Sequence, residues 1–222
     1  MLRIWGKNME MSKGNKGSNK DIPRDCEGQK VQKNQQDQND CENQEVLKKL
    51  LRKQMFDLRK KLLPEQEAQK NQDILKQLIT LDQECGCPNW YAYIDYHHEA
   101  GTKAWIEYLW TQNRQIAVPR VEGKEIRFYW ITCWDDVESG CMGILEPKES
   151  CTLAQCLDSH MVVPGVAFGR DGSRMGYGGG FYDRFFATEP KHHTVGICFD
   201  FQMVDVAPVE EHDMYMEKVI FA

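Results

Sequence analysis

Val162-Val-Pro-Gly-Val-Ala-Phe-Gly-Arg-Asp-Gly-Ser-Arg-Met-Gly-Tyr-Gly-Gly-Gly-Phe-Tyr-Asp-Arg-Phe-Phe186 is the most informative stretch of the chain. Residues 162–168 form an apolar run that predicts a strand, 169–180 a loop with six glycines, and 181–186 the start of a helix. Backbone N–H groups of such a loop can point at an anion, and the helix dipole favours negative charge there. The stretch therefore predicts a phosphate-binding site.

Charged side chains accompany this glycine-rich loop. Arg170, Arg174 and Arg184 add positive charge, and Asp183 is a suitable ligand for a divalent metal beside phosphates. The alternative is a tight strand-to-helix connection that binds nothing. So many glycines are entropically unfavourable in a plain turn, and the three arginines favour the phosphate interpretation.

The common phosphate fingerprints do not fit the loop. Its core is Gly176-x-Gly178-x-Gly180, so the third glycine of a dinucleotide fingerprint would fall on Phe181. A mononucleotide loop would need Gly-Lys-Ser/Thr, which is not present. The pattern therefore belongs to another class of phosphate site.

Two motifs carry a resemblance to a known family. Pro164-Gly-Val-Ala-Phe168 and Gly172-x-Arg-Met-Gly-Tyr-Gly-Gly-Gly-Phe-Tyr-Asp183 closely resemble the signature of 5-formyltetrahydrofolate cyclo-ligases, also called 5,10-methenyltetrahydrofolate synthetases. The resemblance extends from near Glu45 to the C-terminus. It implies ATP- and Mg²⁺-dependent conversion of 5-formyltetrahydrofolate to 5,10-methenyltetrahydrofolate, with ADP and phosphate as the other products.

Carried over position by position, the resemblance implies three groups of site residues and no acid–base catalyst. The ATP site would comprise Lys48, Arg52, Arg174, Met175, Gly176, Tyr177, Gly178, Gly179, Gly180, Phe181 and Tyr182. The folate site would comprise Ile94, Glu99, Tyr177, Gly178, Gly179, Gly180 and Phe181. The magnesium ligands would be Asp183 and Asp213.

Two of these assignments have plain alternatives. Lys48, Arg52 and Arg59 fall along one edge of a predicted helix, beside an apolar stripe of Leu47, Leu51, Met55, Leu58 and Leu62, and could form a solvated basic edge. Glu99 suits a pterin because a carboxylate accepts paired hydrogen bonds from ring amino and imino groups. The alternative is that Glu99 caps the helix that follows it.

The order of segments predicts an α/β fold. Strands are predicted at 90–95, 114–119, 126–132, 162–168, 193–199 and 217–222, with helices near 45–62, from Pro64 onward, and at 102–110. This alternation predicts a largely parallel sheet flanked by helices. The resemblance implies a single Rossmann-like domain of the NagB/RpiA/CoA transferase-like type.

Bulk properties limit the remaining possibilities. The 222 residues allow one domain at 45–222, and residues 1–44 are predicted to form a disordered, low-complexity tail, with Met9 and Met11 as alternative starts. A net charge of −6 argues against nucleic-acid binding, and no apolar run is long enough to span a membrane. Nine scattered cysteines indicate free thiols in a reducing cytoplasm rather than a zinc site.

We therefore expect a cytoplasmic monomer whose partners are small molecules, namely ATP and 5-formyltetrahydrofolate. Two other functions stay open from the sequence. One is an enzyme of related fold that acts on a sugar phosphate or a CoA ester. The other is a non-catalytic nucleotide-binding module.

Overall fold

A computed structural model of the protein describes residues 44–140, 143–156, 158–210 and 213–222. Apart from residue 44, the predicted tail lies outside this part of the chain. Residue 44 itself already belongs to a helix.

A six-stranded sheet forms the centre of the fold, in the order β11-β9-β6-β1-β2-β3. All neighbouring strands are parallel except the β2–β3 pair, which is antiparallel, so the predicted largely parallel sheet is confirmed. The strands are β1 (Asn89–Ala92), β2 (Gln115–Glu122), β3 (Glu125–Ile131), β6 (His160–Val163), β9 (His193–Cys198) and β11 (Lys218–Phe221).

The other described strands form two smaller sheets. Between β3 and β6 the chain forms the antiparallel pair β4 (Val137–Ser139) and β5 (Leu145–Pro147). The second small sheet has the order β10-β7-β8 and consists of β7 (Ala167–Gly169), β8 (Arg174–Met175) and β10 (Met203–Val204).

Helices cover both faces of the central sheet, which explains why its inner strands are apolar on both sides. The helices are α1 (44–61), α2 (Pro64–Cys85), α3 (Lys103–Thr111) and α4 (Phe181–Thr188). Trp90 and Ala92 pack in one core with residues of α2 and α3, whereas Tyr91 packs in a second core with Phe185 and Phe186 of α4. As predicted, Pro64 lies in the first turn of α2.

The predicted strand at 162–168 is wrong as a single element. Strand β6 ends at Val163, and the chain enters the separate three-stranded sheet at Ala167. Pro164 causes the break because it lacks the N–H group that a further ladder hydrogen bond would need. The glycine-rich loop therefore follows β8, the second strand of a β7–β8 hairpin, rather than the end of a central strand.

Helix α1 packs against the small sheet with most of the predicted stripe, since Leu51 and Leu58 pack beside Met55. Met55 is buried with Val166 and Met175, whereas Leu47 is 58% exposed. Lys48, one position further on, is only 6% exposed. The buried face of α1 thus keeps the apolar stripe from residue 51 onward and extends to the basic residues beside it.

None of the described helices is long and apolar enough to cross a membrane. The six cysteines whose side chains the structure describes carry free thiols: Cys85, Cys87, Cys133, Cys151, Cys156 and Cys198.

Candidate active site

The glycine-rich loop 176–180 connects β8 to α4, and two of its glycines adopt backbone conformations that other residues rarely adopt. Gly178 has φ +97° and Gly180, the residue before α4, has φ +63°. A Cβ atom at Gly178 would also lie 3.4 Å from the Arg52 guanidinium. Glycine is needed at both positions for the left-handed backbone, and the Arg52 guanidinium lies within contact distance of Gly178.

Helix α1 supplies that cation. Arg52 Nε donates to the carbonyl oxygen of Gly176 at 3.2 Å, and Lys48 Nζ lies 2.7 Å from Glu210 Oε1. Neither residue forms part of a fully solvated edge, because Lys48 is buried and Arg52 is half-buried against the loop. The structure therefore brings Arg52 to the loop and pairs Lys48 with an acid of the C-terminal segment.

Arg59, on the same edge of α1, is a site residue that the sequence analysis did not assign. It is 4% exposed, and its two terminal nitrogens donate to the Tyr177 hydroxyl and to the Gly165 carbonyl oxygen, each at 2.8 Å. Its Nε is buried without a hydrogen-bond partner in the described structure. The spacing from Lys48 and Arg52 was the signal that could have identified it.

Glu99 accepts hydrogen bonds at both carboxylate oxygens. Oε1 accepts from the Tyr177 hydroxyl, and Oε2 accepts from the backbone N–H of Tyr96 at 3.0 Å. Burial raises the pKa of Glu99, although these hydrogen bonds oppose the shift. Desolvation, together with the neighbouring Glu99 charge, raises the pKa of Tyr177, although 42% of this residue is exposed.

The alternative in which Glu99 caps α3 is wrong. Asp95 does so instead, because its Oδ1 accepts from the backbone N–H groups of Thr102 at 2.8 Å and Lys103 at 3.0 Å. The turn between Asp95 and Glu99 contains two histidines with positive φ, 46° at His97 and 58° at His98. This turn leaves the Glu99 side chain facing the glycine-rich loop.

Ile94, assigned to the folate site by resemblance, lies in the main core and is 4% exposed. Its place in that site stays a prediction.

Arg174 and Asp183 form an ion pair at the base of the loop. Arg174 is 4% exposed, its Nη2 lies 2.6 Å from Asp183 Oδ1, and its Nη1 donates to the Pro164 carbonyl oxygen at 3.3 Å. Its guanidinium lies 5.7 Å from the centre of the Tyr182 ring. Asp183 is thus engaged by a buried cation.

The other two arginines of the motif point elsewhere. Arg184 Nε donates to the Lys124 carbonyl oxygen at 2.9 Å, and its guanidinium lies over the Phe181 ring. Arg170 is exposed and lies 3.8 Å from Asp205. Of the three, Arg174 alone is buried and ion-paired with an acid that flanks the loop.

Asp213 lies in the C-terminal segment beside the partner of Lys48. Its Oδ2 accepts from the backbone N–H of Glu210 at 2.7 Å. Asp183 and Asp213 each keep one carboxylate oxygen without a hydrogen bond among the described residues. The described residues contain no group of three acids, histidines or cysteines placed to hold a metal. One or two carboxylates suffice for Mg²⁺ that takes its other ligands from phosphates and water.

Known proteins are similar to this chain in sequence and in architecture. The family model described as "5-formyltetrahydrofolate cyclo-ligase family" matches residues 44–222. Two curated relatives named 5-formyltetrahydrofolate cyclo-ligase are 27% identical to the chain. The Haemophilus influenzae protein matches over 171 residues, which cover 74% of this chain and 91% of the relative. The Escherichia coli K12 protein matches over 169 residues, which cover 73% of this chain and 93% of the relative.

Solved structures agree with these relatives. The 5,10-methenyltetrahydrofolate synthetase of Aquifex aeolicus superimposes with a TM-score of 0.70 at 27% identity, covering 79% of this chain and 89% of that one. The 5,10-methenyltetrahydrofolate synthetase of Mycoplasma pneumoniae, at 22% identity and a TM-score of 0.63, shares the fold. The match covers 78% of this chain and 97% of that one. With its family model spanning the whole described region, the chain belongs to the 5-formyltetrahydrofolate cyclo-ligase family.

Proposed function

We propose that this protein converts 5-formyltetrahydrofolate and ATP to 5,10-methenyltetrahydrofolate, ADP and phosphate. The hydrogen bond between Glu99 and Tyr177 is the observation that carries the proposal. It joins a half-buried carboxylate suited to a pterin to a glycine-rich loop suited to phosphates. Both substrates of the reaction would therefore meet at one site.

The nucleotide would lie along the loop 174–182. Backbone N–H groups at the start of α4 would face its phosphates, and Arg52 reaches the loop from α1. The buried Nε atoms of Arg59 and Arg174 are two further donors that no described protein group accepts from. Buried donors without partners are rare, and an anionic ligand would satisfy them. Lys48 would join them if it left Glu210.

The folate would be oriented by Glu99. An ionised carboxylate accepts paired hydrogen bonds from the amino and imino N–H groups of the pterin ring, which fixes the ring in its plane. Burial strengthens such bonds because the surrounding dielectric is low. It also raises the pKa of Glu99, so we expect folate binding to weaken as the pH falls toward that raised value.

The chemistry would proceed in two steps. The formyl oxygen first attacks the γ-phosphorus of ATP, and ADP leaves. The neighbouring nitrogen then attacks the formyl carbon, loses its proton to solvent, and the oxygen departs as phosphate. Both steps depend on positioning and on neutralising phosphate charge, which Arg52, Arg59 and Arg174 can supply. No side chain is assigned as an acid or base.

Mg²⁺ would be held by Asp183 and Asp213 as predicted from the resemblance, with its remaining ligands from phosphate and water. Among the described residues nothing donates to the second oxygen of either carboxylate, and such oxygens are the hard ligands that this ion prefers. The ion would neutralise charge on the β- and γ-phosphates. The proposal also includes a cytoplasmic location, supported by the free thiols at the described cysteines.

A spectrophotometric assay tests the proposal. Purified protein is mixed with Mg-ATP and 5-formyltetrahydrofolate, and the absorbance of 5,10-methenyltetrahydrofolate is followed together with phosphate release. We expect one phosphate per product and no reaction when ATP is omitted. Glu99→Gln, which keeps the shape but cannot accept a pair of N–H groups, should raise the folate KM. Binding of ATP without turnover would favour a nucleotide-binding module instead.

A further inference from the structure

We propose that the Tyr177 hydroxyl occupies the place of the folate on Glu99 in the unliganded protein. Tyr177 would then set the affinity for folate and link the two substrate sites. This inference rests on the proposed function, because it takes Glu99 as the carboxylate that binds the pterin.

The hydrogen bonds of Glu99 lead to this inference. Oε2 is held by the backbone N–H of Tyr96, and Oε1 is held by the Tyr177 hydroxyl. A pterin that donates two parallel hydrogen bonds needs both oxygens along one edge of the carboxylate. The Tyr96 bond comes from the same turn as Glu99 and is local. The Tyr177 bond comes from a loop 78 residues away, so it is the one that can be given up.

Tyr177 is placed to move. It is 42% exposed, and its ring stacks on Phe56, itself 37% exposed, with ring centroids 6.0 Å apart. Its neighbours on either side are Gly176 and Gly178, the latter at φ +97°. A half-exposed side chain between glycines can swing outward without disturbing the packed core.

Arg59 holds the hydroxyl in this position. Its Nη1 donates to the Tyr177 oxygen, while its Nη2 is anchored on the Gly165 carbonyl oxygen. The Tyr177 oxygen thus accepts from Arg59 and donates to Glu99. Arg59 acts here as a positioning residue. The second anchor keeps the guanidinium in place when the hydroxyl leaves.

Displacement of Tyr177 would couple folate to nucleotide. Among the described residues Arg59 Nε has no acceptor, and Nη1 would then lose the one it has. Two buried donors of one cation next to the loop would favour an anion there. If a bound nucleotide draws Tyr177 away from Glu99, it strengthens folate binding. By linkage, bound folate then strengthens nucleotide binding by the same factor.

The test measures folate binding without ATP. 5-Formyltetrahydrofolate is titrated calorimetrically into the parent protein and into Tyr177→Phe, which keeps the ring and loses the hydroxyl. We expect the variant to bind about tenfold more tightly, the scale of one hydrogen bond to a charged group. Tyr129→Phe is the matched control, since Tyr129 likewise donates to a glutamate, Glu122, on the exposed β2–β3 hairpin. It should bind with the parent affinity.

A second measurement repeats both titrations with a non-hydrolysable ATP analogue present. We expect the analogue to tighten folate binding to the parent and to have little effect in Tyr177→Phe. Unchanged or weaker binding by Tyr177→Phe, in a variant with the parent melting temperature, overturns the inference and makes the hydroxyl an ordinary folate contact. A parent protein that binds no 5-formyltetrahydrofolate would instead contradict the proposed function itself.

Discussion

Replacing Asp183 by Asn should weaken both Mg²⁺ binding and the stability of the fold. The sequence motif presents Asp183 only as a metal ligand, whose loss would leave stability unchanged. In the structure it also neutralises Arg174, a guanidinium that is 4% exposed and lies 2.6 Å from the Asp183 carboxylate. Removing the negative charge leaves a buried positive charge without its counter-ion.

The size of the effect follows from the burial of the two partners. Removal of one member of a fully buried ion pair destabilises a protein by about 3–5 kcal/mol. The Asp183 side chain is 25% exposed, so water screens part of the interaction, and Asn can still accept one hydrogen bond. We therefore expect a loss of about 2 kcal/mol. In a domain of this size that corresponds to a decrease in Tm of roughly 4–8 °C.

Thermal unfolding of Asp183→Asn and Asp213→Asn, without ligands, checks this reasoning. Asp213 accepts a backbone hydrogen bond and has no cation among its described partners, so Asn should serve there with little change in Tm. Both variants should need more Mg²⁺ for activity at saturating ATP. Equal Tm values for the parent and Asp183→Asn would show that Arg174 does not depend on this carboxylate, and the ion-pair argument would fail.

Three further expectations concern α1, a buried histidine and the N-terminal segment. Arg52→Ala should raise the KM for ATP about tenfold or more with little change in Tm, and an unaltered KM would remove Arg52 from the nucleotide site. Burial lowers the pKa of His192 to about 4 from 6.5, so the unfolded chain binds this proton first as the pH falls. Stability should then decrease between pH 6.5 and 4, by at most about 1.4 kcal/mol per pH unit. Urea unfolding should show a shallower decrease for His192→Gln, and equal slopes would contradict the assignment. Deletion of residues 1–44 should leave kcat and Tm unchanged, whereas aggregation would place that segment in the domain.

The sheet could be predicted from the sequence because its inner strands are buried on both faces. Runs such as Trp90–Ala92 and Met161–Val163 are continuously apolar, which is the pattern of a covered parallel strand. The end of β6 was harder to predict from the sequence. An apolar run continues through Pro164 to Phe168, and only the missing N–H of proline separates two strands in different sheets.

Periodicity predicts the apolar part of the packed face of α1, where Leu51, Met55 and Leu58 do pack, but not the burial of the basic residues beside it. The structure leaves Leu47 exposed and buries Lys48 and Arg59. The buried cations find their partners more than 100 residues away: Arg59 donates to the Tyr177 hydroxyl and the Gly165 carbonyl oxygen, and Lys48 to the Glu210 carboxylate. Such acceptors are a property of the folded chain and leave no local pattern.

The glycine-rich loop shows how far a motif can identify function. Its glycines predict a close approach to a ligand, and the positive φ angles at Gly178 and Gly180 agree with that need. The motif does not reveal that Tyr177, between two of those glycines, is hydrogen-bonded to Glu99. If the pterin competes for that carboxylate, the loop responds to both substrates. The affinity of the site for folate would then depend on a residue that the resemblance places in both substrate sites.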